Sequence, residues 1–420
     1  MSETTAGQRT AAGGTVLAVI GALSFCHMRG RALLVVSLIL VAFNLRPALS
    51  SVAPVLPEIM RDTGLSAAGA GLLTTAPVLC LGLFGPFAPV IGRWIRSERV
   101  VFLFLAVLAV GLLVRGLGTI AALLIGSGLI GIAIGIVNVL LPVLIKKDFS
   151  GSPALMTGVY TMALSAGAAL ASGLTVPLSK LMDGSWSSAL AVWAVPVALA
   201  MVVWMPRLTG ATAASLGSRV ALRGIWTNAL AWQVTLFMGL QSALAYCVFG
   251  WLAPILRDRG MSDVSAGALV SVSIIGQVVA ALVTPVLATR GRDQRPAVVI
   301  CMMLNMAGLL GCVLAPLSGA LLWAVILGLG QGASFALALT LIVLRSADAR
   351  TAGQLSSMAQ GVGYCLAAAG PLLVGVLHSW TGSWSALAGL FLVIGMTGYL
   401  FALAYAASFI TFRLSTWLLS

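Results

Sequence analysis

Twelve apolar runs of 18 residues or more follow one another between residues 32 and 407, and few folds accommodate such a pattern. They fall at about 32–55, 66–91, 100–118, 120–145, 154–178, 188–205, 228–256, 264–289, 297–316, 319–343, 354–377 and 384–407. Each is long enough to cross a hydrocarbon layer as a helix. With 60% hydrophobic residues, 8% charged residues and a mean hydropathy of +1.10, no water-soluble core could absorb them. Barrel strands are excluded too, because they alternate at period two and are about half as long. The expected fold class is all-α: a polytopic membrane protein of twelve transmembrane helices, with the lipid bilayer as its surroundings.

Charge placement orders the spans. Seventeen of the 23 Lys and Arg residues fall on the side shared by both termini if all twelve runs cross, against four on the other side (Arg61, Lys180, Arg257, Arg259). Two more, Arg46 and Arg115, lie within spans. This asymmetry follows the positive-inside rule and predicts cytoplasmic termini in the inner (plasma) membrane. It also accounts for the net charge of +13 without invoking nucleic acid. Arg115 ends the third span, where snorkelling to the outer surface is the expectation.

The longest polar interval, 206–227, divides the chain into halves of six spans, 31–205 and 228–408. Residues 1–30 form an interfacial or disordered extension, since the apolar stretch Thr15–Cys26 is too short to span, and 409–420 form a tail. The halves repeat one another. Arg61-Asp62-Thr63-Gly64-Leu65-Ser66 returns 196 residues later as Arg257-Asp258-Arg259-Gly260-Met261-Ser262, and Pro89 returns as Pro285. Six spans per half give both copies the same orientation, so the repeat is parallel.

Function is sought where polarity enters the spans. Arg46 sits about 21 Å along the first run at about 1.5 Å per residue. An arginine at the bilayer centre costs roughly 2.5–3.5 kcal/mol even on insertion scales, so it must face protein or water. Pro47 follows it, lacks an amide hydrogen and disfavours helical dihedrals at Arg46, which predicts a break. A permanent cation at a helix break is a candidate anchor for an anionic or strongly dipolar solute. All ten carboxylates map to loops or span ends and both histidines to interfaces, so no intramembrane proton relay is expected. Neutral hydrogen-bonding residues complete the candidate substrate site: Asn44, Asn138, Tyr160, Gln241, Tyr246, Trp251, Gln331, Gln360 and Tyr364. The competing role for each is to join helices. No catalytic residue, metal ligand or cofactor motif stands out; Gly361-Val362-Gly363 follows no strand, and the six cysteines lack metal-ligand spacing.

Five motifs in order carry a resemblance. Asn44-Leu45-Arg46-Pro47, Asn138-Val139-Leu140-Leu141-Pro142 with Lys146-Lys147-Asp148-Phe149, Trp251-Leu252-Ala253-Pro254, Gly330-Gln331-Gly332-Ala333, and Leu355-Ser356-Ser357-Met358-Ala359-Gln360-Gly361-Val362-Gly363-Tyr364 resemble the cyanate/nitroimidazole transporter (CynX/NimT) family of the major facilitator superfamily. The chain departs from that pattern at Phe249-Gly250, where a bulkier pair is expected, and this bears on cavity size. The resemblance implies a facilitator fold and alternating-access transport of a small anionic or polar solute, cyanate-like or nitroimidazole-like, by a monomer. The runner-up is a multidrug or antibiotic exporter for neutral or weakly acidic compounds. An integral-membrane enzyme would need a nucleophile with its base or a metal site, and no such pair is visible.

Overall fold

The computed structural model describes residues 32–400 except 66, 210–222, 291–293, 347, 385 and 399. The extension 1–30, the tail 409–420 and most of the 206–227 connector therefore lie outside the described residues. Among the described residues, eleven helices are long and apolar enough to cross a membrane: α1 (Ala32–Thr63), α2 (Leu72–Ile91), α3 (Ser97–Arg115), α4 (Ile120–Asp148), α5 (Pro153–Leu181), α6 (Trp186–Leu208), α7 (Ala229–Asp258), α8 (Ser265–Arg290), α9 (Pro296–Leu314), α10 (Leu317–Leu344) and α11 (Ala349–His378). The twelfth, α12, is described over Ala386–Gly398. Each corresponds to one apolar run.

The ends follow local chemistry. Thr119, Asn228 and Asp348 accept the first free amides of α4, α7 and α11 through their side-chain oxygens. Gly64, after α1, takes the left-handed conformation at φ +68°, as does Gly260 after α7 at +99°. The predicted break in α1 is present. Arg46 stands in a turn, a four-residue helix Pro47–Ser50 follows, and a 3-10 turn Ala53–Val55 precedes the last stretch, Leu56–Thr63. α1 thus runs beyond its predicted end at 55, because Leu56–Thr63 forms a further helical stretch carrying Glu58, Arg61 and Asp62.

Lipid is as apolar as leucine, so what holds these helices together is close packing at small residues and satisfied polar groups. Gly131 and Gly135 of α4 lie against the backbone of Pro77 and Leu81 in α2; Gly328 and Gly332 of α10 lie against Ser273 and Gln277 in α8. These are equivalent pairs, 196 residues apart in α2/α8 and 197 apart in α4/α10. Gly167 against Phe43 and Gly363 against Gly239 repeat the α1–α5 contact as α7–α11. Trp186 donates to Asp62 at 3.0 Å, and Trp384 donates to Asp258 at 3.1 Å. The internal repeat seen in the loops therefore extends to individual contacts within the bundle.

The two halves meet chiefly through α5 with α8, α2 with α11, and α4 with α11. On the basic-loop side they are sealed. The Thr161 hydroxyl donates to Ala281 O at 3.0 Å, Gln360 Nε2 donates to Asn138 O at 3.0 Å, and Gly353 packs on Val143. At the same end of the first half, Lys147 pairs with Glu98 at 2.8 Å and Arg207 pairs with Asp148. Residues 136–145 of α4 and 336–343 of α10 are buried there without exception.

Candidate functional site

Above that seal lies a cavity of about 540 Å³, its open mouth included. α1 contributes Arg46, α5 contributes Ser165 and Ala168, and α7 contributes Ser242, Tyr246 and Phe249. α8 adds Ile274 and Gln277, α10 adds Gln331 and Phe335, and α11 adds Tyr364. Among the described residues no carboxylate lines it.

Among the described residues, Arg46 is its only lining cation. The turn that Pro47 imposes interrupts the α1 ladder at this level, and the guanidinium carbon lies 5.0 Å from the centroid of the Phe335 ring. It makes no hydrogen bond or ion pair with another described residue. A guanidinium above an aromatic face gains about 0.5–2 kcal/mol while its edge donors stay free for a ligand.

The repeat makes the asymmetry of the cavity explicit. Arg46 corresponds to Ser242, Ser50 to Tyr246, and Ala168 to Tyr364. In the first half the Ser50 hydroxyl donates to Ala168 O at 3.2 Å; in the second, the rings of Tyr246 and Tyr364 meet edge to face at 6.5 Å. One half therefore supplies charge and room, and the other supplies an aromatic wall. Gln277 Nε2 donates to Gln331 Oε1 at 3.1 Å, which orients the Gln331 amide. Gln331 is 2% exposed, and its own Nε2 has no partner among the described residues. A buried donor left unpaired costs about 1–3 kcal/mol, so a ligand acceptor placed there gains from the vacancy.

The predicted residues separate into groups. Arg46, Tyr246, Gln331 and Tyr364 line the cavity, whereas Tyr160 is fully buried and does not line it. Gln241 does not line it; its amide donates to Ser242 Oγ at 2.7 Å and so orients a hydroxyl that does. Asn44 joins α1 to α6 by donating to Leu40 O at 2.8 Å and Pro196 O at 3.0 Å. Asn138 and Gln360 belong to the seal. Trp251 stands apart, donating to Pro371 O at 3.2 Å beside the stacked rings of His378 and Trp384. The side chains of Gln241, Asn44, Gln360 and Trp251 are held by helix-to-helix or within-helix bonds, and Asn138 takes part through its backbone carbonyl.

The expectation for Arg115 is overturned. It does not snorkel: it is wholly buried, and its fork bonds to Ser127 and to Ala48 O. Phe335 was legible in principle, standing four residues after Gln331 and hence on the same helix face. Ser165 and Ala168 carried no chemical signal; they matter by being small.

Comparison with known proteins accords with this arrangement. The sequence profile of the Major Facilitator Superfamily matches residues 32–368. The chain is 42% identical over 371 residues to the uncharacterized transporter YycB of Bacillus subtilis (strain 168), covering 87% of this chain and 92% of the relative. It is 38% identical over 359 residues to the 2-nitroimidazole transporter of Escherichia coli (strain K12), covering 85% and 91%. To the cyanate transport protein CynX of the same organism it is 31% identical over 348 residues, covering 83% and 90%. None of these three is named for multidrug export. With twelve apolar helices in two repeated halves around a polar cavity, and with transporters as relatives along almost its full length, the chain is a non-enzymatic transporter of small solutes and belongs to the Major Facilitator Superfamily.

Proposed function

We propose that this transporter carries a small planar anion or strongly dipolar heterocycle, of the cyanate or nitroimidazole kind, with Arg46 as its anchor. The observation that carries the reading is an arginine that, among the described residues, has no counter-ion and lies in a cavity lined by no carboxylate. A solute oxygen or nitrogen bearing negative charge would take the free edge of the guanidinium, while the Gln331 amide offers a second donor from α10. The aromatic wall of Tyr246 and Tyr364 suits a flat ligand. Two of the relatives are named for cyanate and 2-nitroimidazole, one anionic and one neutral but strongly dipolar. Transport by alternating access, in a monomer of the inner membrane with both termini cytoplasmic, completes the proposal; the distribution of basic residues supports the orientation.

The test is binding and proteoliposome transport of cyanate and 2-nitroimidazole by the wild type, Arg46→Lys and Arg46→Gln. A hydrogen bond to a charged group contributes roughly 1.5–3 kcal/mol, so Arg46→Gln should weaken cyanate binding by about tenfold to a hundredfold. Its effect on the neutral heterocycle should be smaller. Arg46→Lys keeps the charge, loses the fork and should fall between. Well-folded Arg46→Gln protein that binds cyanate as the wild type does would remove Arg46 from the site.

A further inference from the structure

Arg115 is the second cation inside the bundle, and transport as proposed gives it no task. It closes α3 with 0% exposure and no carboxylate partner. Its Nε and Nη2 both donate to Ser127 Oγ, at 3.0 and 2.7 Å, while the Ser127 hydroxyl donates onward to Leu123 O at 2.6 Å. The remaining arm, Nη1, donates to Ala48 O at 2.5 Å.

Ala48 lies two residues past Arg46, in the four-residue helix Pro47–Ser50 between the turn at Arg46 and a second interruption at residues 51–52. Among the described residues, Arg46 O accepts from Leu49 and Ser50, and Pro47 O accepts from Ser51. The next bond starts again at Val52 O, which accepts from Val55, and Ala48 O receives no main-chain amide. In a regular helix the amide of residue 52 would occupy it. Arg115 fills that vacancy from a neighbouring helix.

The second half serves as an internal control. Gly111 meets Ile130 across α3 and α4, and Gly308 meets Leu327 across α9 and α10, which sets the correspondence at 197 residues. Arg115 then corresponds to Cys312, and Ser127 to Ala324. The partner of α1 is α7, where Ala243 replaces Pro47 and Ser242 replaces Arg46, and Ala229–Asp258 is one continuous helix. The half without the break has neither the arginine nor its serine.

We infer that Arg115, seated on Ser127, is a positioning residue that holds the Ala48 carbonyl left free where α1 is interrupted again after Ser50, and so fixes the direction in which Arg46 enters the cavity. Buried charge without a counter-ion is costly to keep. Here it satisfies a buried carbonyl and steers the substrate anchor without touching the substrate.

The inference rests on Arg46 as anchor, and the test separates the two. In purified full-length protein, cyanate affinity is measured for Arg115→Lys and Ser127→Ala in the Arg46 and Arg46→Gln backgrounds. Each should weaken binding about tenfold when Arg46 is present and have little further effect when it is absent, a coupling that a merely structural role would not produce. Equal losses in both backgrounds, or unchanged affinity in folded Ser127→Ala protein, would overturn it. A second readout is independent of substrate: a spin label at position 46, introduced as Arg46→Cys in the full chain with its native cysteines replaced. Arg115→Lys and Ser127→Ala should raise the label's mobility, and unchanged spectra would overturn the inference even if Arg46 proves not to bind cyanate.

Discussion

The Arg46 guanidinium carbon lies over the Phe335 ring, 5.0 Å from its centroid, and this gives the residue scale its sharpest test. Stacking on an aromatic face leaves a guanidinium's edge donors in the plane where an oxyanion or nitro group can meet them. Phe335→Leu removes the platform and should weaken cyanate binding by about threefold to tenfold, from roughly 0.5–1.5 kcal/mol of lost orientation. Phe335→Tyr should restore most of it. Equal affinities for all three proteins, measured calorimetrically, would show that the ring is only a wall. Gln331 makes a separate prediction, because its free Nε2 is already buried. Gln331→Leu should weaken the ligand, and it should also leave Gln277 without its acceptor and lower thermal stability. Gln277→Leu should share the second effect and show much less of the first.

At the scale of helices, what separates the cavity from the basic-loop side is a thin seal. The hydrogen bonds of Thr161 to Ala281 and of Gln360 to Asn138 cross it. Asn138 Oδ1 and Gln360 Oε1 are buried beside it with no partner among the described residues. An interface that leaves acceptors unpaired is held less firmly than one that satisfies them, which suits a contact that must open in each cycle. Thr161→Val and Gln360→Leu each remove a bond of about 0.5–1.5 kcal/mol and should shift the population toward the opposite-facing state by about twofold to tenfold. A cysteine placed at Val143, packed here against Gly353, would report this as faster maleimide labelling from the basic side. Labelling at the wild-type rate in both variants would mean that the seal is held by packing alone.

For the whole molecule, the carboxylate-free cavity bears on coupling. With no acid lining the site, transport rates for an ion that stays charged across the neutral range, such as cyanate, should be nearly flat with pH. Any pH dependence should then follow ionisation of the solute. A steep dependence for cyanate that vanished on replacing one side chain of the chain would contradict this. Orientation is tested separately, by reporter fusions in the 206–227 connector and at the C-terminus. Both should report the cytoplasm, and either one in the periplasm would undo the assignment of sides.

What could be read from the sequence depends on properties that a short segment carries alone. Run length and apolarity set the number of spans, Arg46-Pro47 set the break in α1, and the shared Arg-Asp-x-Gly-x-Ser motifs revealed the repeat. Arg46 was legible as a site residue because a cation in hydrocarbon must find protein or water wherever its helix points. Rotation of the helices was not legible. In a soluble protein the apolar stripe shows which face turns inward; in lipid both faces are apolar, and that signal disappears. Gln241 and Ser242 are neighbours in sequence, yet only Ser242 lines the cavity. Trp251, Asn44 and Gln360 were candidates alongside Tyr246 and Tyr364, but they are turned into contacts between helices. Arg115 is the fullest case: from its position near a span end it could have reached the outer surface. Only the packing of α1 and α4 around it brings the Ala48 carbonyl and the Ser127 hydroxyl to its three nitrogens.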